Sequence, residues 1–165
     1  MTEKQRRSGD RPFAVLFICT GNICRSPTAE AVLKSLCLKV GIGLRIESAG
    51  LGHWHVGDPP DERAQRHARM RGYDLSAQRA RQVSMRDFDE FDLILAMDRG
   101  HLRALKRMAP TTQHRARIRL FVRDCDMPDP YYGGAEGFER VLDLVEEHCR
   151  LLIEELRESL TGPTS

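Results

Sequence analysis

Cys19-Thr20-Gly21-Asn22-Ile23-Cys24-Arg25-Ser26-Pro27 sets a thiol six residues ahead of a guanidinium. Spacing alone carries little weight in a chain with five Cys and with 22 Arg among its 26 basic residues; the context makes it informative. The apolar run Phe13 to Cys19 (FAVLFIC) reads as a buried strand ending on the thiol. Ser26-Pro27 reads as a helix start, with Ser as N-cap and Pro at the first helical position. Gly21 and Asn22 tolerate left-handed backbone, so the turn between strand and helix should be tight and should aim successive N–H groups inward. The positive end of the helix dipole lies behind that turn, so an anion fits there. The same field favours a thiolate, since cysteines at helix N-termini can ionise at about 3.5 to 7.5. Cys19 is therefore expected as a nucleophile facing a bound oxyanion. Arg25 is expected to grip two of that anion's oxygens, and Ser26 to donate to the thiolate.

A second reactive candidate lies far along the chain, in Asp129-Pro130-Tyr131-Tyr132-Gly133-Gly134. A phosphate ester attacked by a thiolate releases an alkoxide or phenoxide, which departs more easily when a carboxylic acid hands it a proton. Asp129, stiffened by Pro130, is the expected acid. Such a pair works only while Cys19 is ionised and Asp129 is protonated, so activity should form a bell on the acid side of neutral.

The elements that must bring these two segments together can be read from periodicity. A helix to about Val40 buries Ala29, Val32, Leu33, Leu36 and Val40 at three- and four-residue steps. A second strand is expected at Leu44 to Ser48, closed by Ala49-Gly50. A mostly solvated helix is expected at Asp61 to Arg71, and Asp87 to Phe91 reads as the approach to a third strand. That strand is Asp92 to Met97 (DLILAM), followed by a helix from Asp98 to Met108 ended by Pro110. Arg117 to Val122 alternates like an edge strand with one wet face. A long final helix buries Phe138, Val141, Leu142, Val145, Cys149, Leu152 and Leu156.

This alternation predicts an α/β fold: a single-domain open four-stranded parallel sheet with helices on both faces and a phosphate-binding loop between strand 1 and helix 1. Such sheets bind ligands beyond the carboxyl ends of their strands, near the point where strand order reverses. The loop after Cys19, the loop after Ser48, Asp98 and the Asp129 loop should therefore share one rim. The expected organisation is a disordered tail over 1–11, one domain over 12–160 and a frayed end over 161–165.

Composition narrows the function classes. A chain of 165 residues has room for one core. A net charge of +2 is too small for a dedicated nucleic-acid binder. No run reaches the 18 or more apolar residues of a membrane span, and Met1 to Arg11 has no apolar signal segment. Five cysteines in a chain of this size suit reduced thiols and a cytoplasmic protein. Cys37, Cys125 and Cys149 are expected to serve packing, and His67, His101, His114 and His148 to sit on solvated faces.

The strand followed by CTGNICRSPTAEAVL, the SAG and WHVG stretches, FDLILAMD and DPYYG resemble, in order and spacing over Phe13 to Leu156, the low-molecular-weight protein tyrosine phosphatases. The resemblance implies hydrolysis of phosphotyrosine through a phosphocysteine on Cys19, with Arg25 binding phosphate and Asp129 acting as acid and then as base on water. It implies that Thr20, Gly21, Asn22, Ile23, Cys24 and Ser26 build the substrate loop, and that Asn22 and Ser26 hold its shape. Cys24 matches a cysteine able to form a reversible protective disulfide with Cys19. Trp54, Tyr131 and Tyr132 match the walls of the phosphotyrosine slot, a corridor in which an aryl ring would stack and phosphoserine would fall short of the floor. No cofactor or metal is implied. The implied partner is a tyrosine-phosphorylated protein, with a cognate tyrosine kinase as a further candidate and a monomer or weak dimer as the working state.

Two positions depart from the family pattern: Arg71 and Gln78 stand where the family often has His, which puts the supporting hydrogen bonds near the loop in question. Three rival readings can be weighed. Phosphoarginine-specific relatives carry Thr where this chain has Ile23. Arsenate-reducing relatives use further cysteines after the third strand, whereas here no Cys lies between Cys37 and Cys125. A zinc module from Cys19, Cys24, His53 and His55 has loose spacing, and Arg25 beside it opposes a dication.

Overall fold

The computed structural model describes residues 11–130 and 133–160. Tyr131, Tyr132, the tail apart from Arg11, and the expected frayed end at 161–165 lie outside the described residues. Four strands, β1 (Phe13–Cys19), β2 (Leu44–Gly50), β3 (Leu93–Ala96) and β4 (Ile118–Leu120), form one parallel sheet in the order β2-β1-β3-β4. Around them lie α1 (Arg25–Val40), α2 (Glu62–Met70), α3 (Asp87–Glu90), α4 (Arg99–Met108), α5 (Thr112–Ala116) and α6 (Ala135–Leu160). The chain leaves β1 toward β2 on one side and returns to β3 on the other, so the strand order reverses at the carboxyl end of β1, beside Cys19.

β1 is central and buried on both faces, which is why its sequence is continuously apolar. Val15, Phe17 and Cys19 point into one core, shared with α1, α2 and α6. Ala14, Leu16 and Ile18 point into the other, shared with Phe88, Phe91 and Leu105. The two-residue period thus assigns the thiol to the α1/α6 side of the sheet. All seven residues expected as the buried stripe of α6 are buried.

Local chemistry moves several boundaries. α1 begins at Arg25 with Cys24 at the N-cap, and Ser26 lies inside the first turn, fully buried. Ser26 does not cap because its hydroxyl is turned to Cys19. Val40 is exposed, and Cys37 takes its place on the buried face of α1. Asp87 to Glu90 is a short helix rather than extended chain, since the Asp87 carboxylate accepts from Ser84 N and from Arg81 and turns the backbone. β4 is only three residues long because Phe121 leaves the alternation to pack edge-on against Phe17, with ring centroids 5.1 Å apart. α5 is a further helix without an apolar stripe, started by Thr111, which accepts from His114 N.

Candidate active site

The loop from Cys19 to Arg25 is shaped by where its carbonyls go. Leu51 N donates to Cys19 O at 3.0 Å, Gly52 N to Thr20 O at 3.0 Å, Asp61 N to Ile23 O at 2.8 Å, and Thr28 N to Cys24 O at 3.1 Å. A trans peptide points its N–H opposite its C=O. The amides that follow those carbonyls, of Thr20, Gly21, Cys24 and Arg25, therefore turn toward the inside of the loop, which makes an anion nest. No side chain caps α1, so its first-turn amides add to the same field.

One residue makes the turn. Asn22 has φ of 59° and is buried, whereas Gly21 does not enter the left-handed region. The freedom of Gly21 is spent on contact: a Cβ there would lie 2.8 Å from Cδ2 of His55. Asn22 holds its strained backbone with its amide. Nδ2 donates to Ser26 Oγ at 2.8 Å and Ser48 Oγ at 2.9 Å, and Oδ1 accepts from Arg81 N at 3.0 Å. Ser48 in turn donates to Glu30, which is paired with Lys34.

Cys19 Sγ lies 2.9 Å from Ser26 Oγ and accepts from Asn22 N at 3.3 Å. Cys24 is also buried; its burial, reinforced by Cys19, Asp61 and Asp129 and opposed by Arg25, pushes its thiol well up. Cys24 is thus held as a protonated thiol.

Arg25 is 4% exposed, and its guanidinium is pinned from several sides. Nη1 donates to Met127 O at 3.0 Å and to Asp98 Oδ2 at 3.2 Å, while Nη2 reaches Thr20 Oγ1 at 3.4 Å and lies 3.5 Å from Asp129 Oδ2. Burial would raise the Asp98 carboxyl. The backbone N–H of His101, the His101 ring and Arg25 outweigh that and hold it below the usual carboxylate range. A cavity of about 210 Å³ opens over this floor, bordered by Cys19, Thr20, Gly21, Ile23, Cys24, Arg25, Trp54, His55 and Asp129. Trp54 is 68% exposed and stacks on His53, with ring centroids 5.7 Å apart at 18°. Its ring occupies the space beside Gly52, where a Cβ would fall 1.6 Å from Cζ3.

A family model described as low molecular weight phosphotyrosine protein phosphatase matches residues 14–161. A low molecular weight protein-tyrosine-phosphatase of Streptomyces coelicolor is 44% identical over 160 residues, 91% of this chain and 97% of the relative. The crystal structure of YfkJ from Bacillus subtilis superposes with a TM-score of 0.84 at 39% identity, covering 92% of this chain and 98% of that one. A protein tyrosine phosphatase from Entamoeba histolytica, crystallised with Hepes in its active site, gives a TM-score of 0.85 at 37% identity, covering 89% and 98%. The chain belongs to the low molecular weight phosphotyrosine protein phosphatase family.

Among the expected site residues of this phosphatase-family chain, Cys19, Thr20, Gly21, Ile23, Cys24, Arg25, Trp54 and Asp129 border the cavity, and Asn22 and Ser26 support it from below. Tyr131 and Tyr132 lie outside the described residues. The two departures from the family pattern separate. Gln78 does support the loop region, its Nε2 donating to Pro27 O at 2.9 Å. Arg71 is engaged elsewhere, with Glu139, Asp143 and Glu146 of α6.

The expectation for the histidines needs correction. His101 is 5% exposed and bonded to Thr20, while His67, His114 and His148 are half-buried. His67 stacks on Phe138, and His114 meets Asp89 at 2.7 Å. Cys125 is exposed rather than packed, whereas Cys37 and Cys149 are buried. Among the described residues no cluster of three or more His, Cys, Asp or Glu is set to hold a metal. Sequence reasoning missed His55 as a cavity wall and His101 as a floor contact. The available signal was Asp98-Arg99-Gly100-His101, an N-cap followed three residues later by the ring its carboxylate faces.

Proposed function

We propose that this chain hydrolyses phosphotyrosine and small aryl phosphates in two steps, with Cys19 as nucleophile, Arg25 as phosphate clamp and Asp129 as proton donor and acceptor. In the first step the Cys19 thiolate attacks phosphorus, the S–P bond forms and the P–O bond to the aryl group breaks. The leaving phenolate takes a proton from Asp129. In the second step Asp129 takes a proton from water, the water oxygen attacks phosphorus, and the S–P bond breaks. Inorganic phosphate and the thiolate are released. The observation that carries this reading is that Cys19, Arg25 and Asp129 border one cavity of about 210 Å³. Preorganised amides and a fixed guanidinium in such a cavity meet the charge of the transferring phosphoryl group without reorganisation.

The loop builders Thr20, Gly21, Asn22, Ile23, Cys24 and Ser26 serve by carrying the amides and the thiolate contacts. Trp54 walls the aryl slot, and on the family resemblance we assign Tyr131 and Tyr132 to the same role. Ile23 favours the aryl phosphate over phosphoarginine. The substrates are phosphoproteins; we read the physiological one as tyrosine-phosphorylated, the enzyme as cytoplasmic and as a monomer or weak dimer, and a cognate tyrosine kinase as its counterpart. No helix among the described residues is long and apolar enough to cross a membrane.

The test is Cys19→Ser. The variant should lose turnover of phosphotyrosine and p-nitrophenyl phosphate yet still bind inorganic phosphate, because the amides and Arg25 remain. Wild-type turnover in Cys19→Ser overturns the assignment of the nucleophile.

A further inference from the structure

A buried imidazole closes a ring of contacts around the phosphate clamp. His101 stands in the first turn of α4, with Nε2 2.8 Å from Thr20 Oγ1 and Nδ1 3.3 Å from Asp98 Oδ1. Thr20 Oγ1 and Asp98 Oδ2 are in turn the partners of Arg25 Nη2 and Nη1, at 3.4 and 3.2 Å. The ring therefore runs from Arg25 through Thr20, His101 and Asp98 back to Arg25.

The tautomer follows from the charges. Nδ1 faces a carboxylate and lies off the line of a full hydrogen bond, so a bare lone pair there would be repelled; Nδ1 carries the hydrogen. Nε2 is then an acceptor, and the Thr20 hydroxyl must donate to it. That fixes the Thr20 lone pairs toward the guanidinium. We propose that neutral His101 is a positioning residue for phosphate binding, locking Arg25 through Thr20 and Asp98, and that protonation of its ring releases the lock. This rests on the reading of Arg25 as the phosphate clamp.

Protonation reverses the ring. An imidazolium Nε2–H can no longer accept from Thr20, and its charge competes with Arg25 for Asp98. The charged groups facing His101 are Asp98 at the start of α4, Arg25 from α1, and Asp126 and Asp129 from the segment before α6. Burial is the largest influence and, with Arg25, holds the imidazole below the usual histidine range against the three carboxylates. The lock therefore persists to lower pH than a free imidazole would allow.

The experiment reads inorganic phosphate binding through the fluorescence of Trp54, the one tryptophan of the chain and a wall of the cavity. At pH 7.5, His101→Ala should weaken phosphate on the order of tenfold, the loss of a bond in a buried network. His101→Gln, whose carboxamide oxygen accepts from Thr20, should recover most of it. Thr20→Val should match His101→Ala, and the double variant should be no worse than either.

The ratio of wild-type to His101→Gln affinity cancels the ionisation of phosphate itself. It should stay flat to below the ordinary histidine range and then fall as the wild-type ring takes up a proton. Phosphate binding by folded His101→Ala equal to wild type overturns the proposal. So does a pH-independent ratio, or losses from Thr20→Val and His101→Ala that multiply in the double variant. Failure of the wild type itself to bind phosphate would instead overturn the function reading.

Discussion

The floor and the mouth of the cavity are built on opposite terms. On the floor, Asn22, Arg25 and Ser26 are 3%, 4% and 0% exposed, and each polar group is held by several others. At the mouth, Trp54 is 68% exposed and the Asp129 side chain 47%. Burying a guanidinium and a left-handed asparagine costs free energy that only a well-satisfied network offsets. The mouth carries no such cost and gives no such support. Floor substitutions should therefore change stability and chemistry together, whereas mouth substitutions should change chemistry alone.

The largest separation should come from Asp129→Ala. Loss of a general acid lowers kcat by roughly 10² to 10⁴ when the leaving group needs its proton. Phosphotyrosine should feel all of this, and p-nitrophenyl phosphate far less, because nitrophenolate leaves without a proton. The thermal midpoint should hardly move, since the side chain is half in water. Equal losses on the two substrates would remove Asp129 from the role of acid.

On the floor, Asn22→Ala deletes both hydrogen bonds made by Nδ2 and the one accepted by Oδ1, and leaves a φ near 59° to a residue that disfavours it. A cost of about 2–4 kcal/mol in stability is expected, with a fall in kcat of about tenfold or more as the amide nest loses its shape. Asn22→Gly keeps the dihedral freedom and should recover part of the stability but little of the activity. Urea melts and steady-state rates on the same preparations separate the two terms. An Asn22→Ala protein with wild-type stability would erase the contrast between floor and mouth.

That contrast also explains what could be read in advance. The sheet, its order of elements and the thiol at the end of β1 follow from apolar runs and periods, because burial on two faces leaves a pattern in the chain. Cys19 and Arg25 are near in sequence, and Asp129 sits beside a proline in a turn-forming stretch, so local rules reach them. His101 is different. The Asp98 cap beside it is legible locally, but its contact with Thr20 joins residues 81 positions apart across the β1/β3 crossover, and no local pattern records that contact. Arg71 misled in the reverse sense: the family pattern tied its position to the support of the loop, yet it is drawn off by three carboxylates of α6, a pairing that depends on how two helices meet. α3 and α5 have no apolar stripe; Asp87 turns the chain into α3 by accepting from Ser84 N, Thr111 caps α5, and period counting sees neither.

The smallest effect expected is at the joint between α2 and α6, remote from either part of the cavity. Arg71 meets Glu139 at 3.5 Å and Asp143 at 2.9 Å and also pairs with Glu146, whose other oxygen accepts from Tyr73 Oη at 2.7 Å. The pairs with Asp143, largely exposed, and Glu139, partly so, are screened, and Glu146 keeps its bond from Tyr73 when Arg71 is lost, so Arg71→Gln should cost only about 1–2 kcal/mol. Tyr73 supplies a pH signature for the same joint. Burial, aided by the bond to Glu146 and its charge, pushes its phenol up to about 12. A raised folded value means that the stability from this bond is complete below about pH 10 and is lost as pH climbs toward 12. Tyr73→Phe should flatten that alkaline loss in urea melts while kcat and KM stay at wild-type values. A kinetic change as large as that of Asn22→Ala would show that the α2/α6 joint and the phosphate floor are one cooperative unit rather than two.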